Sequence, residues 1–159
     1  MAIPAESGGA IIHGDYRLDN CVISEDGHIA AVLDWEMATL GDPLADLGMQ
    51  IMYWAGGAGD RQSAPGIASG SVTALPGFLP RDEAIARYAK RTGLDLSNLD
   101  FYVVLAYFKL AVILEGINAR FLEGGTVGAG FDAMGVQAMA LARTGLAVAD
   151  ASEIAALRG

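Results

Sequence analysis

An acid, an amide and a second acid stand in this chain in an order suited to moving a phosphoryl group. Asp15 lies five residues before Asn20 in Ile11-Ile12-His13-Gly14-Asp15-Tyr16-Arg17-Leu18-Asp19-Asn20. Asp34 follows one short hairpin later, in Val32-Leu33-Asp34-Trp35-Glu36. A carboxylate within hydrogen-bond reach of a hydroxyl aligns it for in-line attack on phosphorus, and catalysis of such transfers is positioning and charge neutralisation. Asp15 is the candidate catalytic base. Asn20 offers a neutral oxygen and Asp34 an anionic one, a pair that can hold Mg²⁺ without over-charging a site that must also accept a triphosphate. Arg17 is the candidate for a phosphate of the nucleotide or an acid on the substrate. Each has a plainer reading: an Asx-turn for Asp15, a strand-entry residue for Asn20, a turn cap for Asp34 and a solvated surface charge for Arg17.

The neighbours divide in the same way. His13 is expected to fix the loop by hydrogen bonds rather than to do chemistry. Gly14 is expected to permit a backbone conformation or close approach that a side chain would block. Glu36 is either a third metal contact or an ordinary salt-bridge acid. Asp46, in the first turn of a helix, either favours the helix dipole or is buried against the loop and holds its N–H groups. Asp42 reads as a helix N-cap, Asp19 as solvated, His28 as a surface residue and Cys21 as packed rather than reactive.

Composition narrows the function classes. The chain has 159 residues, enough for one domain with its own core. Hydrophobic residues make up 53% of it and mean hydropathy is +0.37. The apolar run over 101–114 is interrupted by Lys109 and is too short for a membrane span. A buried helix, or a surface that needs a partner, explains the composition better. The net charge of −9 and the absence of a basic stripe exclude nucleic acid as an expected partner. Phosphates must then be met by metal ions or local basic residues. The single cysteine excludes an internal disulfide and a cysteine-based zinc site. A hydrolase built on His13, Asp15 and Asp34 would need more His ligands than the two in the chain. No basic region followed by an apolar core opens the chain, so a cytoplasmic location is the default expectation.

The elements that must position these residues can be read in turn. Residues 1–10 read as an irregular lead-in, 11–150 as the folded unit and 151–159 as a tail. Within that unit, the catalytic loop and hairpin take 11–36 and a helical part takes 42–150. Strands are expected over 21–25 and 28–33, joined by a two-residue turn at Asp26-Gly27. That register pairs 25 with 28, 23 with 30, 21 with 32 and 20 with 33. It brings Asn20 and Asp34 to one open end, but ideal alternation puts them on opposite faces, so a kink or bulge is expected there. A helix capped by Asp42 and Pro43 is expected to about residue 54. The Gly-, Ser-, Ala- and Pro-rich stretch over 56–77 reads as a long loop of the lid or substrate-contacting kind. Further helices are expected over 80–92, 99–122 and 131–149, with a break at Gly124-Gly125. The third is apolar nearly all round and should be central. The class is α+β, mostly helical.

These motifs, with Gly41-Asp42-Pro43-Leu44-Ala45-Asp46-Leu47, resemble the aminoglycoside phosphotransferase and choline kinase-like family, which shares the protein-kinase-like fold. Within it they resemble in particular the kinase-like domains associated with acyl-CoA dehydrogenase family proteins, as do the stretches over 87–93 and 101–117. The resemblance spans about 11–149. It implies the C-terminal lobe of a protein-kinase-like fold, with a small β-hairpin carrying the site. It also implies ATP- and Mg²⁺-dependent phosphorylation of a hydroxyl on a small molecule, with hydroxyacyl-CoA-type substrates suggested by the subgroup. By motif match, Asp15 would be the base, Asn20 and Asp34 would bind Mg²⁺, and Asp46 would brace the loop. Family members carry an N-terminal lobe with a nucleotide-covering loop, a Lys and its Glu partner, which residues 1–10 do not supply. The expectation is a C-terminal lobe alone, with weak or absent nucleotide binding and negligible turnover unaided. It is expected to pair with a missing N-terminal lobe or to form a homodimer through apolar surface near Ile11, Ile12 and the long helices. The alternative is a non-catalytic truncated module acting in binding or self-association.

Overall fold

A computed structural model describes residues 3–5, 7–54, 72–125 and 129–158. Its strands are β1 (Ala10–Ile12), β2 (Cys21–Ile23), β3 (Ile29–Val32) and β4 (Thr39–Gly41). Its helices are α1 (Leu44–Tyr53), α2 (Arg81–Thr92), α3 (Leu99–Leu122) and α4 (Met134–Ala151). Single 3₁₀ turns cover Leu18–Asn20, Trp35–Met37 and Val72–Ala74. The architecture is α+β with helices dominant, as the sequence predicts.

The helical core follows from spacing. Leu44, Leu47, Gly48, Ile51 and Met52 of α1 are all buried, an i, i+3, i+4, i+7, i+8 stripe that turns one face inward. That face meets Leu99, Tyr102, Val103, Ala106 and Tyr107 of α3, and α4 adds Leu141 and Val148. Each fully buried large side chain contributes about 1.5–3 kcal/mol. Gly48 lets α1 and α3 close on one another: a Cβ there would lie 2.6 Å from the Tyr102 carbonyl carbon. The expected central place of α3 holds for its first half only. Beyond Ala111 no residue of α3 is buried, and Phe108 is 65% exposed on the face away from α1.

Local signals end the helices. Gly93 closes α2 by donating its N–H to the Ala89 carbonyl. At the end of α3, Gly124 N–H reaches Phe121 and Gly125 N–H reaches Arg120, the paired bonds of a Schellman motif. Asp42 caps α1 as expected, with Oδ1 accepting the Leu44 N–H at 2.8 Å. It also accepts the Ser7 N–H and the Tyr102 hydroxyl, which the sequence did not reveal. Burial opposes the Asp42 charge, but these donors outweigh it and hold the carboxyl below its usual range.

Three expectations are corrected. The hairpin turn is not a two-residue one: Gly27 N–H bonds to Ser24 and Ser24 N–H to His28, a three-residue loop with left-handed Gly27 (φ 82). The register is therefore 21 with 32 and 22 with 31, but Ile23 pairs with Ile29, not Ala30. Residues 1–10 are not wholly irregular, since Ala10 opens β1, which pairs antiparallel with β4 (Ile11 opposite Leu40). In the tail, Ser152 donates to Asp100 at 2.7 Å, and Leu157 is buried. The expected loop over 56–77 lies for the most part outside the described residues. No helix among the described residues is long and apolar enough to cross a membrane.

Candidate active site

The site is built on the loop leaving β1, between α1 below and the β2–β3 hairpin beside it. His13 is 2% exposed. Its ring donates from Nε2 to the Leu33 carbonyl at 2.7 Å, and Nδ1 accepts the Asp15 N–H at 3.2 Å, so both nitrogens are spent on holding backbone. Trp35 lies over the same ring, 4.8 Å between centroids. The expected structural role of His13 is thus visible in its bonds. Gly14 has φ +84, and a Cβ there would sit 2.7 Å from the Met37 carbonyl oxygen. Both reasons expected for a glycine at this position apply together.

Asp46 takes the sharper of its two readings. Its Oδ2 accepts the His13 N–H at 2.6 Å and its Oδ1 the Gly14 N–H at 2.8 Å. One carboxylate on the first turn of α1 thereby fixes two successive peptides of the loop.

Asp15 and Asn20 are brought into contact. Asn20, buried in its 3₁₀ turn, donates from Nδ2 to the Asp15 carbonyl at 2.9 Å and to Asp15 Oδ2 at 3.2 Å. That leaves Asn20 Oδ1 as its acceptor. Leu33 N–H donates to the Asn20 carbonyl at 2.8 Å, which places Asp34 next to Asn20 at the open end of the hairpin. The kink expected there is Asp34 itself: at φ 65 and ψ 53 it is the one non-glycine of positive φ among the described residues. A left-handed aspartate costs about 1–2 kcal/mol and turns its side chain out of the strand alternation. Asp34 is exposed.

Arg17 sits beside Asp15. Its Nε is 3.5 Å from Asp15 Oδ2, its Nη1 is 3.7 Å from Asp19 Oδ2, and its guanidinium lies 5.5 Å from the Tyr53 ring centre. Burial works against its charge, but Tyr53, Asp15 and Asp19 outweigh burial and raise its pKa. Burial likewise pushes the Tyr53 phenol up, and Arg17 offsets this only in part. Glu36 and Asp19 are exposed, His28 is at the surface, and Cys21 donates weakly to the Arg17 carbonyl at 3.5 Å.

The donor set suits a hard cation. Asn20 Oδ1 and the Asp34 carboxylate are oxygen ligands, the kind that Mg²⁺ takes while keeping waters and phosphate oxygens for the rest of its shell. No group of three or more His, Cys, Asp or Glu side chains that could hold a metal occurs among the described residues. Sequence reading missed one residue at this site, Lys109 of α3, whose ammonium donates to the Gly14 carbonyl. The available signal was that it is the lone charge in the apolar stretch over 101–114.

Comparison with known proteins fits this geometry. The model of the phosphotransferase enzyme family matches residues 2–84. Acyl-CoA dehydrogenase family member 11 of Gallus gallus is 36% identical over 129 residues, covering 76% of this chain and 16% of that protein. Acyl-CoA dehydrogenase family member 10 of Mus musculus is 34% identical over 130 residues, covering 78% of this chain and 12% of that protein. A crystal structure described as a candidate aminoglycoside phosphotransferase from Ralstonia eutropha superposes with a TM-score of 0.65 at 33% identity. That superposition covers 88% of this chain and 42% of the other. The chain thus spans a small part of the length of the curated relatives it matches, and its architecture is that of the aminoglycoside phosphotransferase kinase-like fold. Matched by one family model over half of its length, including the loop of Asp15, the β2–β3 hairpin and α1, this chain belongs to the phosphotransferase enzyme family.

Proposed function

We propose that this chain carries the base and metal-ligand half of an ATP- and Mg²⁺-dependent phosphotransferase acting on a hydroxyl of a small molecule. The observation that supports this best is the clamp of Asn20 on Asp15, with Asp34 held beside it by the Leu33–Asn20 bond. Asp15 accepts the proton of the substrate hydroxyl as its oxygen bonds to the γ-phosphorus and the bond to the β–γ bridging oxygen breaks, giving a phosphoester and ADP. Asn20 holds the Asp15 carboxylate in one orientation. Asn20 Oδ1 and Asp34 would hold Mg²⁺, which when bound would neutralise charge on the phosphates. Arg17, already charged and poised beside Asp15, meets a phosphate oxygen.

Mn²⁺ can report on the cation site in the absence of nucleotide. Titration of the chain, followed by electron paramagnetic resonance, is expected to show saturable binding that Asp34→Asn weakens at least tenfold. Whatever phosphotransfer the chain supports should fall at least a hundredfold in Asp15→Asn with the fold intact. Equal Mn²⁺ binding in wild type and Asp34→Asn would sink the reading.

A second reading, a non-catalytic module that self-associates as a homodimer, is favoured by exposed apolar residues. Ile11 and Leu40 face one another across β1 and β4 at 71% and 80% exposure. It predicts a concentration-dependent dimer that a charged residue at Leu40 disperses.

A further inference from the structure

We infer that Lys109 is a positioning residue for the base, pinning from α3 the peptide that carries Asp15. This rests on the reading of Asp15 as the base. The Gly14–Asp15 peptide has two polar groups. Its N–H donates to His13 Nδ1 at 3.2 Å, a long bond, and its carbonyl accepts from the Lys109 ammonium, a charge-assisted one. The preceding peptides are held from α1, where Asp46 accepts the His13 and Gly14 N–H groups. The loop is therefore gripped between an anion on α1 and a cation on α3.

This grip is needed where it is applied. Gly14 is left-handed, and without a Cβ the rotation of its ψ meets little steric resistance. That rotation swings the Asp15 carboxylate relative to Asn20 and Asp34. The Lys109 donor is the contact that stops it from the carbonyl side. A cavity of about 60 Å³ lined by Gly14, Asp46, Met49, Tyr102 and Lys109 lies at the same place, so the loop has room to move when the cation is withdrawn. A lone ammonium in an otherwise apolar helical stretch is costly to bury unless it is bonded, and its bond is spent on the catalytic loop 95 residues away.

The test is amide hydrogen exchange by NMR on the chain, with Lys109→Met and Lys109→Arg. Lys109→Met should speed exchange of the Asp15 amide at least tenfold while the Leu141 and Val148 amides of α4 stay as in wild type. Lys109→Arg, which keeps a cationic donor, should recover most of the protection. In wild type Mn²⁺ should broaden the Asp15 and Asn20 amide signals, and Lys109→Met should need at least fivefold more Mn²⁺ for the same broadening. Unchanged Asp15 exchange in a folded Lys109→Met overturns the inference, as does equal acceleration of every amide. If Lys109→Met does not fold, Lys109→Arg decides, and loss of Asp15 protection there with the core intact overturns it. If wild type binds no Mn²⁺, the phosphotransfer reading fails, and the exchange data alone decide whether Lys109 holds the loop.

Discussion

Replacing Asp46 by Asn changes one heavy atom and should loosen the whole loop that leads to Asp15. In the structure both carboxylate oxygens accept backbone N–H groups, from His13 at 2.6 Å and Gly14 at 2.8 Å. In Asp46→Asn the amide oxygen keeps one of these bonds, without the charge. The amide nitrogen must face the other N–H, donor against donor. Loss of charge assistance on the retained bond costs about 1 kcal/mol, and the stranded donor about 1–3 kcal/mol, together about 2–4 kcal/mol. Against a total stability of about 5–15 kcal/mol the variant still folds, but with a large share of its margin gone. Urea unfolding followed by circular dichroism measures this directly, and an unchanged slope will show that the folded and unfolded states are otherwise alike. Amide exchange at His13 and Gly14 locates the loss. Asp46→Glu, which keeps the charge but shifts its position, should lose less. A destabilisation of Asp46→Asn below about 0.5 kcal/mol, with both amides still protected, would refute the claim that this carboxylate holds the loop.

Three other outcomes follow from the same structure. Asp34→Gly relieves about 1–2 kcal/mol of left-handed strain and costs about 0.5–1 kcal/mol in chain entropy. Its thermal stability should therefore match or exceed wild type by up to about 1.5 kcal/mol while Mn²⁺ binding falls at least tenfold; a clear loss of stability would show that Asp34 is not strained. The Asp42 carboxyl sits below its unfolded value, so the stability it contributes is present above about pH 4 and is lost as pH falls through the folded value. Asp42→Asn should show a shallower acid dependence of the melting temperature than wild type, and parallel curves would contradict this. Gly48→Ala gains about 1 kcal/mol in helix propensity but places a Cβ 2.6 Å from the Tyr102 carbonyl, so α1 must move off α3. The net effect should be a loss of about 1–3 kcal/mol in denaturant melts, and any gain would argue against the close helix contact.

The sequence by itself determined what is local in the chain. The helix spans were legible to within a few residues because their signals lie within a turn of each end: Asp42-Pro43 before α1, Gly93 after α2, and Gly124-Gly125 after α3. That Asp15, Asn20 and Asp34 come together was legible because they sit on one loop and one hairpin, close in sequence. The turn at Asp26-Gly27 marks the limit of local reading. Two-residue and three-residue hairpin loops both favour a Gly of positive φ there, and the choice between them moved the pairing next to the turn, at Ile23, by one while 21 with 32 stayed as expected.

Only the tertiary structure decided what holds those residues still. The β1–β4 pair joins three-residue strands far apart in sequence, too short to carry a pattern of their own. Asp46 could be a helix-dipole acid or a brace, and the choice depended on where β1 delivers His13 and Gly14. Lys109 read as an interruption in an apolar run until α3, packed on α1, placed its ammonium on the Gly14 carbonyl. Chemistry at a phosphoryl-transfer site is written in residue types at short range. The rigidity that makes it usable comes from charges on helices that meet the loop only after the core has packed.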